Sequence, residues 1–246
     1  MNSRDVSGLR AIARGCVPRP VRVLRWRWKE SRIARRLAKR QYREIWIDVG
    51  AHEGETTIRS ALARPEILVY AFEPDLRVAS RSMGILSNFV PLPMAVASHD
   101  GTADLHINAY EGASSLLKLD PAVAERWIGG GELSEIRTVQ VPTIRLDTFM
   151  DAASIAHVDY LKVDTQGADL DVLMSAGERL SDISRLTIEV TVGDYKPYLG
   201  APDRKAVMSF LEERGFRLVA TQSQTHWQEE NLTFVSLGAN QLHGIS

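Results

Sequence analysis

Ile45-Trp46-Ile47-Asp48-Val49-Gly50-Ala51-His52-Glu53-Gly54-Glu55-Thr56-Thr57 is the stretch that decides the fold. Its apolar run ends in a glycine-bearing turn, and Thr57 to Ala63 then reads as the start of a helix. A strand, a tight turn and a helix N-terminus present backbone N–H groups to a ligand, and glycines let that ligand approach the main chain. The next apolar run, Leu68 to Phe72, ends in Glu73-Pro74, nineteen positions beyond Gly54. An acid at the tip of a second strand is placed to accept hydrogen bonds from both hydroxyls of a ribose. The two features together point to a nucleoside on an α/β sheet.

The turn decides which nucleoside. A dinucleotide site needs G-x-G-x-x-G, whose second glycine admits the pyrophosphate. Here the spacing is Asp48-x-Gly50-x-x-x-Gly54, and the bulky His52 stands where that second glycine belongs. A strand-end carboxylate also repels phosphate and attracts an ammonium or sulfonium. S-adenosylmethionine carries both cations. Asp48, Gly50, Ala51, His52, Gly54, Thr57 and Glu73 are therefore the expected cofactor site.

Three segments resemble the signatures of FkbM-type methyltransferases: Asp48 to Thr57, then Tyr70-Ala71-Phe72-Glu73-Pro74, then Leu161-Lys162-Val163-Asp164-Thr165-Gln166-Gly167-Ala168-Asp169-Leu170-Asp171-Val172-Leu173. The resemblance spans about residues 45 to 237, in order. It implies a class I methyltransferase: a Rossmann-like α/β fold with a mostly parallel seven-stranded sheet and helices on both faces. It also implies S-adenosylmethionine as cofactor and a hydroxyl of a sugar or natural product as acceptor. The family commonly has Asn where this chain has His52 and often Glu where it has Gln166, which argues against position 166 as a base and leaves Gln166 as a cofactor contact. Class I folds hold the adenine ring at the edge occupied here by Met94-Ala95-Val96, so Met94 is an adenine candidate, with core packing as the alternative.

The chain has 246 residues, 44% hydrophobic and 25% charged, as in a soluble globular α/β domain with an extension. No apolar run reaches the roughly 18 residues of a spanning helix. No apolar segment follows the first charges as in a secretory signal, and the single Cys16 suits a reducing cytoplasm. The net charge of −1 conceals an asymmetry: Arg10 to Arg43 holds thirteen Lys or Arg against one acid, Glu30, whereas residues 44 to 246 hold sixteen basic and twenty-nine acidic side chains. Residues 1 to 43 thus form a basic arm on an acidic methyltransferase domain, residues 44 to 246. Val21 to Arg40 reads as a helix, whose role is either packing on the domain or adhesion to an anionic surface such as the inner face of the membrane.

Methyl transfer is a displacement at a carbon already activated by sulfonium, so the protein positions two reactants and handles one proton. Asp164, at the end of a strand expected beside the first, is the first candidate base. Glu189, near the end of the next strand, is second, and His226 third. Lys162 lies two residues before Asp164, on the same strand face, so an ion pair is expected. Asp169 and Asp171 sit in a helical first turn and read as structural. Acceptor contacts are expected from Ser114-Ser115, from Tyr195 and Tyr198, and from Trp227. Gly129-Gly130-Gly131 reads as a hinge or surface loop.

No cluster has metal-ligand spacing, so no metal is expected. A Lys-Asp-Lys-Glu tetrad of the RNA ribose-methylating kind needs a lysine that residues 165 to 188 lack, so nucleic acid is not the expected acceptor. A nicotinamide oxidoreductase and a non-catalytic scaffold of the same fold are the competing readings.

Overall fold

The computed structural model describes residues 42–126, 133–193 and 196–238. The arm helix expected over Val21 to Arg40, the Gly129-Gly130-Gly131 loop and the acceptor candidate Tyr195 lie outside the described residues.

Within them, ten strands and six short α-helices follow in the order β1 (Glu44–Val49), α1 (Thr57–Ala63), β2 (Ile67–Phe72), α2 (Leu76–Ser82), β3 (Phe89–Leu92), β4 (Ala95–Val96), β5 (Gly101–Asn108), α3 (Pro121–Ala124), β6 (Glu135–Ile144), α4 (Leu146–Ala152), β7 (Tyr160–Val163), α5 (Asp169–Ser175), β8 (Arg185–Thr191), α6 (Arg204–Glu213), β9 (Phe216–Gln224) and β10 (Glu229–Ser236). Seven strands form one sheet in the order β3-β2-β1-β7-β8-β10-β9. β3, β2, β1, β7 and β8 run parallel, while β10 is antiparallel to both of its neighbours. This is the expected class I sheet.

Both faces are covered, which explains why these strands read as nearly continuous apolar runs. One face packs Ile47, Val49, Phe72, Leu161 and Leu186 against α4, α5 and α6; the other packs Ile67, Val69 and Ala71 against α1 and Phe89. Burying each of the large aliphatic side chains stabilises the fold by about 1.5–3 kcal/mol. Asp203 caps α6, accepting from Ala206 N at 2.7 Å. Asp147 does not cap α4 as its position suggests: Arg145 is the N-cap, and Asp147 lies in the first turn, where it grips the Arg145 guanidinium at 2.9 and 2.6 Å.

β5 and β6 pair antiparallel and, with the short β4, build a second sheet, β4-β6-β5. Between β5 and β6 the chain bends through Glu111–Ala113 and brings Ser115 back to His106 of β5, with which it pairs as an isolated bridge, while its Oγ reaches the Gln166 carbonyl beyond β7.

Candidate active site

A cavity of ≈ 450 Å³ opens at the carboxyl ends of β1, β2, β7 and β8, where an open α/β sheet holds its ligands. Glu73 stands on its wall at the tip of β2. Glu73 Oε2 accepts from the His52 amide at 3.0 Å and Oε1 from the Asp75 amide at 2.8 Å. Burial raises the pKa of this carboxyl against the pull of those two amides. Each oxygen keeps a lone pair for a ribose hydroxyl. Gly50, His52, Asp164, Gln166, Glu189, Ser114, Ser115 and Tyr198 also line the cavity, as expected.

Other expected cofactor contacts do not. Asp48 is 1% exposed and faces inward: Thr57 Oγ1 donates to it at 2.5 Å, and Lys162 Nζ lies 3.5 Å away. These two residues join β1, α1 and β7. Ala51 is buried in the core beside Phe89. A Cβ on Gly54 would lie 2.4 Å from Phe89 Cζ, and one on Gly50 would lie 1.7 Å from the Asp164 carbonyl oxygen. Gly54 therefore admits a neighbouring part of the protein and not the ligand, while Gly50 lines the cavity and also lets the β7 backbone approach. The turn's N–H groups are used internally as well, Gly50 and Ala51 donating to the Phe72 carbonyl and Gly54 to that of Ala51. Met94 packs on the core, and its neighbours Ala95 and Val96 line the cavity instead.

At the β7 and β8 tips, Lys162 bridges Asp48 and Asp164, with its ammonium 3.1 Å from Asp164 Oδ2. Burial opposes the Asp164 charge, but Lys162, the Glu189 carboxyl and Gln166 outweigh it and hold its pKa below the ordinary range. Glu189 goes the other way: burial, then the Asp164 carboxylate, push it well above the usual carboxyl range. Burial and the neighbouring charges thus favour the anion on Asp164 and the proton on Glu189.

The hydroxyls of the acceptor candidates are occupied within the wall. Ser114 Oγ accepts from Asn108 N, Ser115 Oγ donates to the Gln166 carbonyl at 2.8 Å, and the Tyr198 hydroxyl donates to Ala113 O or Gln166 Oε1. The candidates His226 and Trp227 are not in the lining, and Trp227 is 78% exposed. Thr225, His226 and Trp227 all have positive φ, which turns the chain so that Thr225 and Glu229 line the cavity instead. Neither signalled itself: Glu229 opens a polar stretch like any surface strand, and only its pairing with β8 shows that it lies 8% exposed at the site.

A family model for the methyltransferase FkbM domain matches residues 48–218. The chain belongs to the FkbM methyltransferase family. Its cofactor is S-adenosylmethionine, and the residues present fit it: ribose hydroxyls would donate to Glu73 at the β2 tip, and a cationic sulfur would face Asp164 at the end of β7. The match sets aside the nicotinamide reading. Among curated relatives, 2-O-methyltransferase NoeI of Sinorhizobium fredii is 27% identical over 72% of this chain and 73% of its own. Methyltransferase sdnD of Sordaria araneosa is 23% identical over 77% and 79%. Among solved structures, a fibrillarin/Nop5p complex aligns with a TM-score of 0.46 at 13% identity, over 79% of this chain and 73% of that one. No helix among the described residues is long and apolar enough to cross a membrane.

Proposed function

We propose that this FkbM methyltransferase methylates a hydroxyl oxygen of a small acceptor, a sugar of a glycan or of a glycosylated natural product. The observation that carries this reading is Asp164 on the cavity wall, with its charge held by Lys162 at 3.1 Å and its neighbour Glu189 pushed towards the protonated form by burial. A hydroxyl is a poor nucleophile until a base accepts its proton, an assistance of roughly 10²–10⁴-fold. The cofactor supplies a methyl group on a positively charged sulfur. Asp164 takes the hydroxyl proton as the acceptor oxygen gains the methyl, and S-adenosylhomocysteine is left.

Two further features favour a neutral, hydroxyl-rich acceptor. The described lining contains five carboxylates, Glu73, Glu111, Asp164, Glu189 and Glu229, and neither Lys nor Arg. A phosphate would find no counter-charge there. The relative NoeI is named a 2-O-methyltransferase.

The test is transfer of labelled methyl from S-adenosylmethionine to neutral oligosaccharides, their phosphorylated counterparts and short RNA. Labelling of the neutral sugars alone supports the reading. Labelling confined to nitrogen atoms or to RNA overturns it. Binding of S-adenosylhomocysteine with no transfer to any acceptor favours a non-catalytic scaffold.

A further inference from the structure

One uncharged side chain organises the acids of the site. Gln166 has a φ of 55°, a left-handed conformation that costs a non-glycine residue energy and needs surrounding contacts to hold it. Its Nε2 lies 3.2 Å from Asp164 Oδ1 and 2.9 Å from Glu189 Oε2. An amide has two N–H donors, so each carboxyl receives one. Its Oε1 accepts from the Tyr198 hydroxyl at 2.9 Å, and its backbone carbonyl accepts from Ser115 Oγ. Reversing the amide would set its oxygen against the Asp164 carboxylate, which makes the present sense the favourable one. Tyr198 is 4% exposed, and its hydroxyl is also within 2.8 Å of the Ala113 carbonyl, which ties the amide to the Glu111–Ala113 segment.

We propose that Gln166, held by Tyr198, is a positioning residue whose two N–H groups fix the orientation of the Asp164 and Glu189 carboxyls and so keep an unprotonated Asp164 oxygen turned to the acceptor. This rests on the reading of Asp164 as the base. Burial and the charged groups around the pair decide which carboxyl is ionised. Lys162 of β7, itself against Asp48 of β1, lies on Asp164. The carboxyls of Asp169 at the start of α5 and Glu229 of β10 disfavour a charge on Glu189. Tyr198, raised by burial, stays neutral. What these fields leave open is rotation of the two carboxyls, and a donor shared between them removes that freedom.

The titration of the free protein tests this without any acceptor. The infrared C=O band of a protonated carboxyl is followed against pH and assigned to Glu189 by its loss in Glu189→Gln. In the wild type the band persists above the usual carboxyl range. Gln166→Met keeps similar volume and removes a donor that favoured the charged forms, so the midpoint moves up by about one pH unit. Gln166→Glu sets a third carboxylate against the pair and moves it further. Tyr198→Phe releases the amide and gives a smaller shift in the same direction.

Thermal unfolding of each variant checks that it is folded. Unchanged midpoints in folded Gln166 variants overturn the proposal. Should Gln166→Met fail to unfold cooperatively, Tyr198→Phe decides: a shift supports the ordering and no shift overturns it. A purely structural glutamine changes melting temperature and leaves the midpoint alone. A failed acceptor search bears on the proposed function and not on this titration.

Discussion

Replacing Asp169 by Asn destabilises the protein by an amount that shrinks as pH rises. The carboxyl is 4% exposed and accepts from Thr165 N at 2.7 Å, Thr165 Oγ1 at 3.1 Å and Gly167 N at 2.9 Å, which fixes the turn that carries Gln166. Burial outweighs the two backbone N–H groups and, with the nearby Asp164 charge, raises the pKa from 3.8 to about 6. Between those values the folded state binds more protons than the unfolded one. The stability that this group contributes is therefore fully present below its unfolded pKa, and it is lost as pH rises through about 6.

A shift of roughly two units corresponds to about 3 kcal/mol, of which about 2 kcal/mol falls between about pH 4.5 and about pH 7.5. Asn does not titrate there. Its amide nitrogen also meets an N–H group where an oxygen had accepted, which removes at least one hydrogen bond worth about 1–2 kcal/mol. Urea unfolding of wild type and Asp169→Asn across that window should show the gap between them narrowing by about 2 kcal/mol towards neutrality. Glu189, Glu229 and Glu73, also raised, are common to both chains and cancel to first order. Parallel stability curves would refute the argument that burial controls this group.

Three other outcomes are expected. Glu73→Ala removes the acceptor of the His52 and Asp75 amides together with the ribose contact, and should weaken S-adenosylhomocysteine by about 100-fold or more; an unchanged Kd by calorimetry would place the ribose elsewhere. Asp164→Asn should lower kcat by roughly 10²–10⁴-fold while S-adenosylhomocysteine affinity stays within several-fold; full turnover would remove Asp164 as the base. Gly54→Ala combines a φ of +78° with a Cβ 2.4 Å from Phe89 Cζ and should cost about 1–3 kcal/mol, partly restored when Phe89 is also cut to Leu. An equal loss in both backgrounds, read by denaturant unfolding, would mean that the ring contact is not the cause.

The main sheet was legible because its strands are buried on both faces and each apolar run ends at a turn residue: α1 spans Thr57–Ala63 as its pattern indicates, and β2 ends at Phe72 before the exposed edge. The second sheet was not legible. Its strands appear in the sequence, but β5 and β6 are separated by the Ser114-Ser115 excursion, and no local pattern states that they pair. The site divides in the same way. Glu73, Asp164 and Glu189 could be placed because a strand end fixes where a side chain emerges. The places of Asp48 and Gly54 were not legible because an acid or a small residue in a turn serves a ligand and a neighbouring element equally well, and only the distances to Thr57 and Phe89 decide. Glu229 was missed because the antiparallel return of β10 sets it beside β8, nearly forty residues along the chain.

The packing that turns Asp48 inward serves the site indirectly. Gly50 lets the β1 end rest on the Asp164 carbonyl, and Asp48 holds Lys162, whose ammonium in turn holds Asp164. One buried lysine between two carboxylates leaves the floor of the cavity with a net negative charge even while Glu189 is protonated. Such a floor attracts a cationic sulfur. Transfer of its methyl to a hydroxyl, with the proton passing to Asp164, removes one positive and one negative charge together. Reactions that annihilate charge are favoured where water is excluded, since the separated charges lose solvation that the neutral products never needed. In the proposed reaction the burial that raises Glu189 would also lower the barrier, and the Lys162 contact would set a balance: strong enough to keep Asp164 ionised, and weak enough that the carboxylate still accepts a proton.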